Sequence, residues 1–93
     1  KLDAMSEGTG TVLDNCCLLW LSNMYSGSIH DNNHLPVLTI GGLGGTLTTG
    51  RVINYRDKGD ENRKVCSLYL GLMDRMGVKL DRFGDATTRL ATF

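Results

Sequence analysis

Two uncharged apolar runs constrain this chain more than anything else in it. Residues 16–22 read Cys-Cys-Leu-Leu-Trp-Leu-Ser, and residues 35–40 read Leu-Pro-Val-Leu-Thr-Ile ahead of a double glycine. Neither run alternates polar with apolar residues, so neither sets aside a face for water. Continuous runs of this length suit strands covered on both sides, as in a parallel sheet. Pro36 stands near the start of the second run, where a missing N–H costs a ladder least. Between them lies a polar loop, with Gly27 and Asp31-Asn32-Asn33 as turn chemistry. In open α/β sheets functional groups gather beyond the carboxyl ends of the strands. Loop 23–34 is therefore the first place to look for chemistry, with His30, Asp31 and His34 as its candidate ligands.

The clearest helix lies further on. Val65, Leu68, Tyr69, Leu72, Met73 and Met76 fall at i, i+3, i+4, i+7, i+8 and i+11, which is one apolar stripe. Asp60 or Asn62 is placed to cap its start. Gly77 occupies the position of a left-handed C′ residue, with Val78 set for the apolar contact of a Schellman ending. Residues 1–7 read as the last turns of a helix, 8–11 as a breaker segment, and 12–15 as a turn of helix capped by Asp14 and Asn15. Residues 46–55 suggest two short strands or a hairpin. Residues 56–63 are a charged surface loop, and 81–93 are irregular with Phe83 as anchor.

Strand, loop, strand and then helix indicate α/β architecture. One helix covers only one face of a small sheet, so the second face requires a protein partner or further chain. At 41% hydrophobic and 22% charged residues the composition is that of a globular protein rather than a disordered one. The ten basic and ten acidic residues balance, and leave no electrostatic footprint for nucleic acid or an anionic membrane. No apolar run is long enough for a transmembrane helix. The chain starts at Lys1 with no basic-then-apolar leader before the first strand, and reads as a processed product or a fragment.

Three cysteines, Cys16, Cys17 and Cys66, make no closed disulfide framework and no C-x-x-C pair, so they read as free thiols. His30 and His34 are four apart, but Asn32, Asn33 and Pro36 argue against a helix there. A loop can still bring imidazole and carboxylate to one divalent cation. The cluster Gly41-Gly42-Leu43-Gly44-Gly45-Thr46 lacks the Gly-Lys-Ser/Thr ending of a phosphate-binding loop. It reads instead as a tight turn or a close backbone approach.

The order of motifs carries a family resemblance. Residues 7–15, Glu-Gly-Thr-Gly-Thr-Val-Leu-Asp-Asn, lead into a Leu-Trp strand. A Ser-x-Met-x-x-Gly loop with histidine and a Leu-Pro-Val-Leu-x-x-Gly-Gly segment come next. They are followed by Gly45-Thr46-Leu47-x-Thr49-Gly50-Arg51, a Leu-Tyr-Leu helix, Met76-Gly77-Val78 and Arg82-Phe83-Gly84-Asp85. This set resembles the C-terminal segment of a group of bacterial proteins, common in planctomycetes and acidobacteria and labelled HXXSHH. Those proteins in turn resemble the alkaline phosphatase and sulfatase superfamily.

The resemblance implies a partial alkaline phosphatase-like α/β sandwich, with short parallel strands plus one amphipathic helix. It makes residues 1–93 a single segment, the C-terminal part of a larger extracytoplasmic α/β domain. It also implies metal ligands on the loop after the Leu-Trp strand, with His30 first and Asp31 and His34 next. Relatives tend to carry an acidic residue where this chain has Asn23, and a neutral amide oxygen is the weaker ligand for a divalent ion. The expected function is thus a non-catalytic structural or interaction subunit that presents a large apolar surface on residues 16–22 and 35–40. The alternative is the C-terminal metal-site half of a metal-dependent phosphate or sulfate ester hydrolase.

Overall fold

The two apolar runs pair with each other. A computed structural model describes all 93 residues. The chain mixes helix and strand and forms two compact units, Lys1–Thr49, which holds all four strands, and Gly50–Phe93.

The first unit opens with a 3₁₀ turn at Leu2–Ala4 and a two-residue hairpin, β1 (Ser6–Glu7) against β2 (Gly10–Thr11). Residues 1–7 therefore hold a turn and a strand rather than a helix end, and the breaker glycines close the hairpin. Helix α1 (Val12–Asn15) follows at once. Its cap is Thr11, one residue before the apolar turn. The Thr11 hydroxyl accepts the Asp14 N–H at 3.2 Å, while the Asp14 carboxylate accepts the Thr11 N–H at 2.8 Å. This reciprocal capping box uses two donors that the first turn would otherwise leave unpaired. The same Thr11 groups, backbone first, hold the Asp14 carboxyl below its usual range.

Strands β3 (Leu18–Leu21) and β4 (Val37–Ile40) form the second sheet. They run antiparallel, with Leu18 opposite Ile40, Leu19 opposite Thr39, Trp20 opposite Leu38 and Leu21 opposite Val37. The sequence pattern predicts parallel strands, and the connection explains the difference. A parallel return needs a crossover, usually a helix. Residues 22–36 instead fold back on themselves. Tyr25 N–H donates to the Asp31 carbonyl at 2.7 Å, and Asp31 N–H donates to the Ser26 carbonyl at 3.2 Å.

Beyond β4 the glycine cluster closes on the end of α1. Gly42, Leu43 and Gly44 donate their N–H groups to the carbonyls of Leu13, Cys16 and Asp14 at 3.1, 3.0 and 2.9 Å. A helix end leaves such carbonyls without intrahelical partners. Satisfying them requires the loop backbone to come very close. A Cβ on Gly41, whose φ is +107°, would collide with the Cys16 carbonyl oxygen. The cluster is thus a backbone clamp, and the N–H groups of Gly42, Leu43 and Gly44 are committed to protein carbonyls.

Residues 46–55, expected to form two short strands or a hairpin, form no strand; the first helical turn of the second unit is a 3₁₀ turn at Asp60–Asn62. Helix α2 (Val65–Arg75) starts behind Lys64 with no side-chain cap, because Asp60 and Asn62 are used inside their own turn. Its end follows the expected Schellman pattern. Gly77, at φ 82°, donates to Asp74, and Val78 donates to Met73 at 2.9 Å.

The buried side of α2 is unlike its apolar stripe. Ser67, Leu68, Leu70 and Gly71 are buried, whereas Val65, Tyr69, Leu72 and Met73 are half-buried and Met76 is exposed. The small residues Ser67 and Gly71 let the C-terminal segment pack closely there. Phe93 lies over Gly71 and beneath the Arg75 guanidinium, 5.0 Å from its ring centroid. Ala86, rather than the largely exposed Phe83, is the buried anchor of residues 81–93. Arg89 clamps the same segment through two bonds to the Asp74 carboxylate, at 2.8 and 3.0 Å, and a third to the Leu80 carbonyl.

Candidate functional site

Loop 23–34 holds the three residues expected to bind metal, and the structure brings two of them together. Asp31 Oδ2 and His34 Nδ1 are 3.6 Å apart, and the His34 ring meets the edge of Tyr25 at 5.9 Å between centroids. The other carboxylate oxygen, Oδ1, accepts both the backbone N–H and the side-chain amide of Asn33, each at 2.9 Å. Asn33's backbone N–H does most to hold the Asp31 carboxyl below its ordinary range, with smaller help from the Asn33 amide and His34. His30 is exposed on the preceding turn at φ 50°.

No three His, Cys, Asp or Glu side chains are grouped to hold a metal ion. A structural zinc takes four protein ligands and a catalytic one three. The Asp31–His34 pair offers two donors, and the Asp31 carboxylate is already engaged in closing a turn. The residues present do not fit a divalent metal centre in this arrangement.

Two other candidates resolve structurally. Burial, and then neighbouring Cys16, pushes the Cys17 thiol up, away from a reactive thiolate. In the second unit a cavity of about 250 Å³ is lined by Ile53, Tyr55, Lys58, Asn62, Ala91 and Thr92. It falls below the roughly 300 Å³ of small-ligand sites. Tyr55 donates to the Ala91 carbonyl and Asn62 to the Lys58 carbonyl, so two of its polar side chains are spoken for.

The most distinctive surface is the sheet. Residues directly opposite in an antiparallel pair share a face. Leu18, Trp20, Leu38 and Ile40 therefore form one face, with relative exposures of 45, 59, 51 and 41%. It carries four large apolar side chains and no polar one. On the opposite face Leu19, Leu21 and Thr39 are half-buried and Val37 is 39% exposed. Sequence reasoning locates the apolar surface on these two segments. It does not reveal which residues share a side, because that depends on a pairing register set across residues 22–36.

No side chain of Lys1–Thr49 is fully buried; those that are belong to the second unit. A two-stranded sheet is marginally stable in water unless its apolar face packs on something. Singly exposed apolar residues need no explanation, but a contiguous group does. No helix is long and apolar enough to cross a membrane. No family model, curated protein or solved structure matches this chain.

Proposed function

We propose that this chain is a non-catalytic structural or interaction module. Its working surface is the β3–β4 face, and its role is to dock on protein. The observation that supports this reading is the uninterrupted apolar quartet Leu18, Trp20, Leu38 and Ile40, exposed on a sheet whose unit has no buried core of its own. The resemblance to the alkaline phosphatase and sulfatase superfamily adds an ancestry. On that reading the chain is the C-terminal portion of a larger extracytoplasmic α/β domain, kept for its architecture rather than for ester hydrolysis. The two-donor geometry of Asp31 and His34 is consistent with that choice.

Trp20 is the only tryptophan and lies on the face, so its emission reports the surface directly. In the dilute chain it should emit as a solvated indole and be quenched freely by acrylamide. Leu38→Asp should leave stability within about 0.5 kcal/mol of the parent, as expected for a surface position. A loss above about 2 kcal/mol, of the size seen for core truncations, would show that Leu38 is a core residue and overturn the reading.

A further inference from the structure

The cavity of the second unit is too small for a drug-sized ligand, and its size, walls and single charge narrow what it can hold. It measures about 250 Å³. A dry cavity of about 150 Å³ is enough to bind benzene. The space here therefore admits one benzene ring and a single polar substituent.

The walls suit such a body. Ile53, Ala91 and the half-buried Tyr55 supply apolar surface. Two hydrogen bonds tie residues 53–62 to residues 88–92. The Tyr55 hydroxyl donates to the Ala91 carbonyl at 2.7 Å, and the Thr88 hydroxyl donates to the Glu61 carbonyl at 3.2 Å. These groups hold the walls and are not free to read a ligand. Small-molecule sites have this form, an apolar lining with a few placed polar groups.

The polar group left over is Lys58. It is the one charged residue of the lining, and its ammonium makes no hydrogen bond or ion pair within the chain. No carboxylate competes for it on its own loop, where Asp60 and Glu61 are held by Arg63 and Lys64 at 2.6 and 2.9 Å. Asn62 donates its side-chain amide to the Lys58 carbonyl at 2.9 Å, which pins the residue that carries the charge. Thr92 adds a separate observation. Its φ is 60°, a genuine outlier for a β-branched residue. Backbone strain of this kind clusters at ligand clamps, where the surrounding structure over-determines it.

We propose that this cavity binds a small aromatic monocarboxylate, with the ring against Ile53 and Tyr55 and the carboxylate on the Lys58 ammonium. The site lies wholly within the second unit and uses no part of the β3–β4 face, so it stands or falls apart from the interaction reading.

The test titrates sodium benzoate into the isotope-labelled whole chain at constant ionic strength, followed by amide NMR. The expected result is a set of saturable shifts centred on Ile53, Tyr55, Lys58, Ala91 and Thr92, with a dissociation constant in the millimolar range usual for so few atoms. Benzyl alcohol keeps the ring without the charge, and acetate keeps the charge without the ring. Each should bind about fivefold more weakly than benzoate or worse. Lys58→Gln alters an exposed position, and its own spectrum shows whether the fold is intact. It should weaken benzoate about fivefold, the upper range for an exposed ion pair, and leave benzyl alcohol unchanged. Ala91→Leu should fill the space and abolish binding of both, while the amide signals of α2 stay in place.

Benzoate shifts that never saturate, or that centre on residues outside the lining, overturn the site. Benzoate binding that survives Ala91→Leu unchanged does the same. Binding that is indifferent to Lys58→Gln and is matched by benzyl alcohol overturns the carboxylate as the group recognised, and with it the proposal.

Discussion

Replacing Gly41 by alanine tests whether the glycine cluster is a structural clamp. Two costs add. The backbone at φ +107° is one that L-residues avoid, at about 1–2 kcal/mol. The new methyl also points into the Cys16 carbonyl oxygen and, at 2.9 Å, the Leu13 carbonyl oxygen. Both are backbone atoms at the end of α1 and cannot swing aside, so the loop has to retreat. Retreat lengthens the bonds from Gly42, Leu43 and Gly44 to Leu13, Cys16 and Asp14. At about 1 kcal/mol net for each, their loss brings the total to about 4 kcal/mol. That is most of the stability a small unit has. Urea unfolding followed by the backbone amide NMR signals of Leu18–Leu21 reads this unit alone. Gly41→Ala should unfold at far lower urea than the parent. Gly27→Ala is the control: nothing lies within 4 Å of its Cβ, and its midpoint should hold or rise slightly. If Gly41→Ala unfolded at the parent midpoint, the three bonds and the close approach would carry no stability, and the clamp would be refuted.

Further outcomes follow from the second unit. Ser67 is fully buried and its hydroxyl has no hydrogen-bond partner, so Ser67→Ala should stabilise by about 1 kcal/mol in thermal unfolding; a clear destabilisation would reveal a partner for Oγ. Leu70 is wholly buried, and Leu70→Ala should cost about 3 kcal/mol by loss of the helical circular dichroism signal on heating; a cost under about 1 kcal/mol would place the core elsewhere. Arg89 does most to hold the Asp74 carboxyl below its ordinary value of 3.8, with Lys79 assisting. A group depressed in the folded state adds stability that is complete above its unfolded pKa and fades as pH falls through the folded one. Stability should therefore drop on acidification below about pH 4, and Arg89→Ala should raise the Asp74 pKa in a carboxyl NMR titration; an unmoved pKa would contradict the ion pair.

Local signals were legible in the sequence, and long-range ones were not. The 3.6-residue spacing from Val65, together with Gly77, gave α2 and its ending almost to the residue. The runs at 16–22 and 35–40 became β3 and β4, trimmed at both ends. Their orientation was misread because an all-apolar strand signals only that both faces lack polar groups. It does not separate a covered sheet from an uncovered one. The buried side of α2 escaped for a related reason: periodicity finds where the large apolar residues are, whereas close packing here selected Ser67 and Gly71 for their small size. In the loop, His30, Asp31 and His34 were expected to share a cation; Asp31 and His34 lie 3.6 Å apart, but no spacing rule foretells that Asn33 takes up one carboxylate oxygen and that His30 stays on the preceding turn.

The β3–β4 sheet also has two edges that no further strand pairs with, a fact that bears on how the chain behaves in solution. Its strands read Leu-Leu-Trp-Leu and Val-Leu-Thr-Ile, with no charge, and proline only just outside the second. Charges, prolines and bulges on edges are what keep soluble sheets from annealing to one another. Residues 16–21 form a six-residue window with none of these safeguards, of the kind that seeds cross-β stacking. If the face is the docking surface proposed above, the interval between synthesis and assembly is the hazardous one. A cell that makes the chain in excess of whatever covers the sheet will find the surplus in inclusion bodies rather than in solution.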